Sequence, residues 1–469
     1  YQGQGLLPNA QLTYVDADSV VDASATDSGN GGEIVVWSDQ TTHALGQFLA
    51  RGGPNGGNGG LIETSGLRGL TLGESPDISA PLGTAGEWLI DPFDVIISNE
   101  VDNEGFDPAN PFIAVSSPAR INVFTLANAL TGGGTVRVTT GEGGTETGNI
   151  TLESNLNFFN SEEATLSLEA AGSIFINAAI APDTVTGPLN INLAADTDGT
   201  GNGQVVFDNR LGEPFFGEPL TEIDTAVGHL TVTANSTNLT GVTDTSAIIL
   251  ANGNEITTEN GFGGLGFTDG GRVNLTGIAS DGSGIRLEDN SIIDAEGSLT
   301  LVGQSDTNTG VVVEGGIFSD NALLSVAGTS TSGTGILITV DIFGGGCITL
   351  TSNRDIQVSA LISGENITVT TPRFFRATGV FFEESEIGGP EPIGSIVSQE
   401  GGVTITHGGN GVTPFTVGSA EVNGTAGAIV TTGNGIQPTE AFLEDEIRGN
   451  ISILTGEEPP EPPNPPEPP

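Results

Sequence analysis

The sequence predicts an all-β protein built as a parallel β-helix, with one short helix and a polyproline tail at its C-terminus. Three observations point there. Segments beginning at Gly32, Gly60 and Gly86 repeat one another almost evenly along the chain. Short strands alternate Ile, Leu or Val with Thr, Ser or Asn, a period of two. Glycine supplies 72 of 469 residues and crowds the segments between strands. A repeat in the high twenties made of short strands and glycine turns is the mark of a solenoid.

The N-terminal repeats read Gly32-Glu33-Ile34-Val35-Val36-Trp37, Gly60-Leu61-Ile62-Glu63-Thr64-Ser65 and Gly86-Glu87-Trp88-Leu89-Ile90-Asp91. In this alignment Trp37 and Trp88 are expected at matching core positions. Next, Ser117-Pro118 has the form of an N-cap and first helical residue, before a helix ended by Gly132-Gly133-Gly134. From about residue 135 alternating strands follow, such as Thr135–Val138, Leu189–Leu193, Ser298–Val302 and Ile367–Val369. Between about Thr371 and Pro392 the rhythm breaks at Phe374-Phe375 and Phe381-Phe382, an insertion expected either to form a contact patch or to cover the side of the rod. Residues 457–469, EEPPEPPNPPEPP, suit only a polyproline II spacer. The chain thus divides into N-terminal coils (1–97), a body (98–370), C-terminal coils with the aromatic and acidic insertion (371–455) and a Pro-rich linker (456–469). At about 25 residues per coil and ~4.8 Å per rung, the rod is expected to be roughly 80–90 Å long.

Charge excludes some partners. The 59 acidic residues face 11 basic ones, all arginine, for a net charge of −48. Nucleic acid and anionic membrane surfaces are repelled. No apolar run suits a membrane span, so no membrane insertion is expected. The chain contains no methionine and begins at Tyr1, which is read as a processed or partial chain. The single cysteine, Cys347, cannot form an internal disulfide and is expected to be a small buried residue.

These residues also carry a family likeness. Gly31 to Gly66 (GGEIVVWSDQTTHALGQFLARGGPNGGNGGLIETSG), followed by GTAGEWLIDPFDVII (83–97), resembles the repeats of filamentous haemagglutinin-like exoproteins of two-partner secretion systems. FFRATGVF (374–381) and ITHGGNGVTPFTVGSAEVNGTAGAI (405–429) look like the cyanobacterial branch. The resemblance implies a right-handed parallel β-helix, secretion through an outer-membrane partner and a place at the cell surface as fibre or adhesin. It brings no catalytic residues.

The residues themselves argue against catalysis. There is no lysine to serve a lyase, no Asp-Asp pair of the kind polygalacturonase-type hydrolases use, and no Gly-x-Ser-x-Gly elbow. His43, His229 and His407 are expected at turns or on the surface. One segment resembles a calcium loop: Asp196, Asp198, Thr200 and Asn202 place oxygen ligands at alternate positions beside Gly201. Phe207 stands where a bidentate Glu belongs, so an ordinary β-turn is the competing reading. No cofactor is required by this reading, with Ca²⁺ the one candidate.

The expected function is a structural surface protein, a rigid rod in a filament or adhesin. Strand-like sequence near both ends suggests end-to-end homopolymers, with the Pro-rich tail on the neighbouring subunit. Alternatives are an adhesin module that binds surface glycans or a receptor, and the passenger stalk of a larger secreted effector.

Overall fold

The computed structural model describes residues 8–100, 118–140, 146–183, 187–208, 222–258, 270–319, 322–385, 389–409 and 412–456. The polyproline segment lies outside them. The described chain winds as a parallel β-helix with three long sheets. The first has 15 strands, from Glu33–Ser38 to Glu446–Arg448; the second has 14, from Ala119–Asn122 to Glu440–Phe442; the third has 11, from Leu156–Phe158 to Asn434–Ile436. Nearly all neighbours pair in parallel, each strand with the strand one coil away.

The alternating pattern explains this stacking. Inward residues of adjacent coils lie in register, so like sits on like. In the third sheet Ile223, Ile256, Ile293, Ile317, Ile342 and Ile362 form one continuous ladder, and each is almost fully buried. β-Branched side chains suit such stacks because their single preferred rotamer repeats at every rung. At corners, buried serines satisfy turn carbonyls: Ser305 Oγ donates to Gly282 O at 2.7 Å and Ser330 Oγ to Asn308 O at 2.6 Å.

The N-terminal repeat is one turn of the winding: Glu33 pairs with Leu61, and Leu61 with Glu87. That register also corrects the tryptophan alignment. Trp88 lies over Ile62 and Ile34 in the core, whereas Trp37 pairs with Ser65 on the outward side and is only half-buried. Trp88 Nε1 donates to Thr64 Oγ1 at 2.9 Å, which satisfies both buried groups.

Coil length varies more than the N-terminal repeat suggests. In the stacked series Val273, Leu299, Leu324, Ile348 and Ile367, each coil is shorter than the one before it. Elsewhere a long excursion separates Trp88 from its rung partner Val136. Longer excursions leave fewer rungs, and 15 stacked strands give a rod of roughly 67 Å rather than the expected ~80–90 Å.

The helix, α1, spans Val123–Leu130 and begins later than the Ser117-Pro118 signal suggests. Ser117 lies outside the described residues. Pro118 precedes the strand Ala119–Asn122, and Asn122 is the N-cap, accepting from Phe124 N at 2.8 Å. The helix buries Val123, Leu126, Ala129 and Leu130 and packs against the first strand of the third sheet, Leu156–Phe158. It thus closes that side of the rod where the third sheet begins. Gly133 and Gly134 end it at φ +76 and +92, angles that favour glycine.

At the C-terminal end the winding reverses. Asn434–Ile436, Glu440–Phe442 and Glu446–Arg448 pair antiparallel with the last strands of the third, second and first sheets. The strand-like sequence near the C-terminal end, Ile451–Thr455, sits between Val403–His407 and Glu446–Arg448. Insertion residues Phe381–Ser385 and Gly389–Gly394 form an antiparallel hairpin, while Phe375 belongs to the regular second sheet and the core.

Candidate functional site

Outward residues decide what a β-helix presents to partners. On the second sheet each three-residue strand contributes one such residue, and Phe175, Val206 and Ile249 lie side by side on adjacent rungs. They floor a groove of about 610 Å³, with Val242 on its wall and Asn177, Gln204, Asp244, Asn252 and Glu288 among its polar lining. Gln204 is held by Nε2 donation to Ser246 O at 3.2 Å. Arg286, one rung beyond Ile249, meets Glu288 and Glu314 at 3.4 Å and Asp244 at 3.8 Å. This arrangement offers an apolar floor and an amide and carboxylate rim. Alternation identifies inward positions and leaves outward neighbours unassigned, so no signal in the sequence marks this groove.

Asp196, Asp198, Thr200 and Asn202 share one turn, with Asp196 at φ +63. The carboxylate of Asp196 points into the turn, where its Oδ1 accepts from Gly201 N at 2.6 Å, Asn202 N at 3.1 Å and Thr200 Oγ1 at 3.4 Å. Asp198 Oδ1 accepts from Thr200 N at 3.0 Å. These oxygens serve as turn acceptors, an Asx arrangement. Among the described residues no group of three or more His, Cys, Asp or Glu is placed to hold a metal ion.

Two of the three histidines are buried rather than at the surface. His43 Nδ1 lies 3.0 Å from Thr71 Oγ1, inside the N-terminal coils beside buried Thr41 and Thr42. His407 lies beneath the reversed C-terminal coil, 5.1 Å from the Phe415 ring centroid. Its Nδ1 accepts from Gly409 N at 3.1 Å and stands 3.1 Å from Asn423 Nδ2. Burial pulls the imidazole pKa down to about 4, against a smaller upward pull from Asp445. His229 is exposed, and its Nδ1 accepts from Arg272 N at 3.2 Å.

Cys347 is exposed, contrary to expectation, because the strand places Ile348 inward and its neighbour outward. Asn366 Nδ2 approaches its sulfur at 3.8 Å. Charged pairs on the flank include Arg137 and Glu169, joined by two contacts at 2.8 and 2.6 Å that hold the Glu169 carboxyl below its usual range. No helix among the described residues is long and apolar enough to cross a membrane. Searches against protein-family models and curated proteins return no match for this sequence.

Proposed function

We propose that the protein is a structural component of the cell surface, a rigid β-helical rod in an extracellular filament or adhesin of the haemagglutinin-like kind. The observation that carries this reading is the continuous inward ladder of the stacked coils, which supports a rod that is stiff along its length. Its homopolymer would grow end to end with the Pro-rich tail on the neighbour. Among the described residues, Leu12–Val15, Val20–Asp22 and Glu33–Ser38 are the terminal parallel strands of their sheets, and Val20 and Val21 are exposed, which supports pairing at this end. The opposite end, turned back on itself and lined by Glu440, Glu446 and Arg448, is the guarded one. Negative-stain microscopy tests the reading: straight thin rods joined lengthwise are expected, and compact particles would refute it.

A second reading is favoured by the groove over Phe175. An aromatic floor with amides and carboxylates at the rim suits a neutral sugar, whose C–H face stacks while its hydroxyls bond the rim. Glycan-array binding that Phe175→Ala abolishes would support it; unchanged binding would place any glycan site elsewhere.

A further inference from the structure

The outer face of the first sheet differs from the rest of this acidic chain. Across eight consecutive rungs, from Leu230–Ser236 to Ile451–Thr455, register brings the outward residues into straight columns. The central column includes Thr300, Ser325, Thr349, Thr368, Thr404 and Ser452. Neither it nor the columns on its two sides contain a single Asp or Glu, and Arg272 is the only arginine there. By contrast, the outward side of the third sheet carries Glu222, Asp224, Glu255 and Asp294 on neighbouring rungs. No hydroxyl of the central column from Thr300 to Ser452 is engaged within the described chain, and Leu323 and Val302, 43% and 40% exposed, stand beside it.

We propose that this face is where a second copy of the chain docks, sheet against sheet, so that rods associate laterally. Two molecules of charge −48 repel through every acidic surface, which leaves the acid-free face as the place of closest approach. A second copy also matches the repeat: rungs recur at ~4.8 Å on both partners, so side chains that interdigitate at one rung do so at all. Eight rungs by three columns offer roughly 700 Å² per rod, near the ~800 Å² per partner of a standard stable interface. Thr and Ser have little side-chain entropy to lose on packing. Cys347 lies on this face, in the column beside Thr349 and Thr368, and reports on its burial.

This inference is separate from end-to-end growth, since lateral pairs thicken the particle and lengthwise polymers extend it. The test is sedimentation of the full chain over rising concentration, with maleimide labelling of Cys347 in parallel. The expected result is a concentration-dependent species of twice the 47.5 kDa monomer mass that sediments as a thicker particle of lower frictional ratio than the monomer, whereas a lengthwise dimer would have a higher one. Labelling of Cys347 should slow by several-fold as that species forms. The double variant Thr349→Asp/Thr368→Asp should lose the lateral species while any lengthwise association persists, with circular dichroism that of a folded β protein. Gln357→Asp, on the outward side of the second sheet, serves as the charge control and should pair normally. A wild type that stays monomeric, or a folded double variant that pairs as well as wild type, overturns the proposal. If the double variant misfolds, the labelling of wild-type Cys347 still decides: a rate independent of concentration overturns it.

Discussion

Between Val273 and Val369 the inward positions of the three sheets are overwhelmingly aliphatic, while the last coils bury His407, Asn423 and Thr425 beside Phe415. In the body each coil rests on an equivalent coil, and similar ladders transmit packing from rung to rung. The C-terminal end has no further coil to rest on. There the chain runs backwards, pairs antiparallel with all three sheets, and fills the space beneath with groups that hydrogen-bond one another. The interior of this solenoid is generic, and its end is specific. Deleting volume should harm the body most, and changing protonation should harm the end most.

The largest effect is expected for Ile293→Ala. Its side chain is fully buried between Ile256 and Ile317, so the cavity should cost about 3 kcal/mol in urea unfolding. The end should respond to pH instead. Because the folded-state pKa of His407 lies near 4, below the unfolded value of 6.5, the unfolded chain binds the proton first. Stability from this group is therefore complete above pH 6.5, falls as pH drops toward 4, and levels off below. The total loss is up to about 3 kcal/mol. Hydrogen exchange across residues 403–455 should accelerate in that window, and His407→Phe should remove the pH dependence while the body remains unaffected.

Smaller effects obey the same division. Trp88→Phe should cost about 1–2 kcal/mol, read from thermal unfolding, because Thr64 Oγ1 loses its buried donor. Asp196→Ala should cost about 1 kcal/mol by opening the turn it closes. Calorimetric titration with Ca²⁺ gives the same turn its second test: saturable heat abolished by Asp198→Ala would establish a calcium loop, and a flat trace would leave a turn. Arg448→Ala should act most locally. Its guanidinium bridges Glu440 at 2.5 Å and Glu446 at 2.8 Å and lies 5.3 Å from the Phe442 ring centroid. Its loss should raise exchange across residues 434–448 with little change in the global midpoint.

Much of the fold was legible in the sequence because a period of two directly labels the inward side of a strand. Glu33, Leu61 and Glu87 align in space as their glycines align in the chain. Helix α1 was legible in existence and in its glycine stop, but not in its start, since Ala119–Asn122 is drawn into a sheet and Asn122 becomes the cap. The groove over Phe175 and the exposure of Cys347 were not legible. Each depends on which residues from different coils become outward neighbours, and coils of unequal length hide that register.

Local alternation and composition were enough to dictate the parallel coil architecture, the aliphatic interior and the acidity, because each is a property of short stretches of chain. That the acids avoid eight rungs of the first sheet's outer face, that His43 and His407 are buried, and that the last coil turns back are properties of the assembled coils. Those features arise when strands distant in sequence are stacked, and stacking is what converts a series of outward residues into a surface.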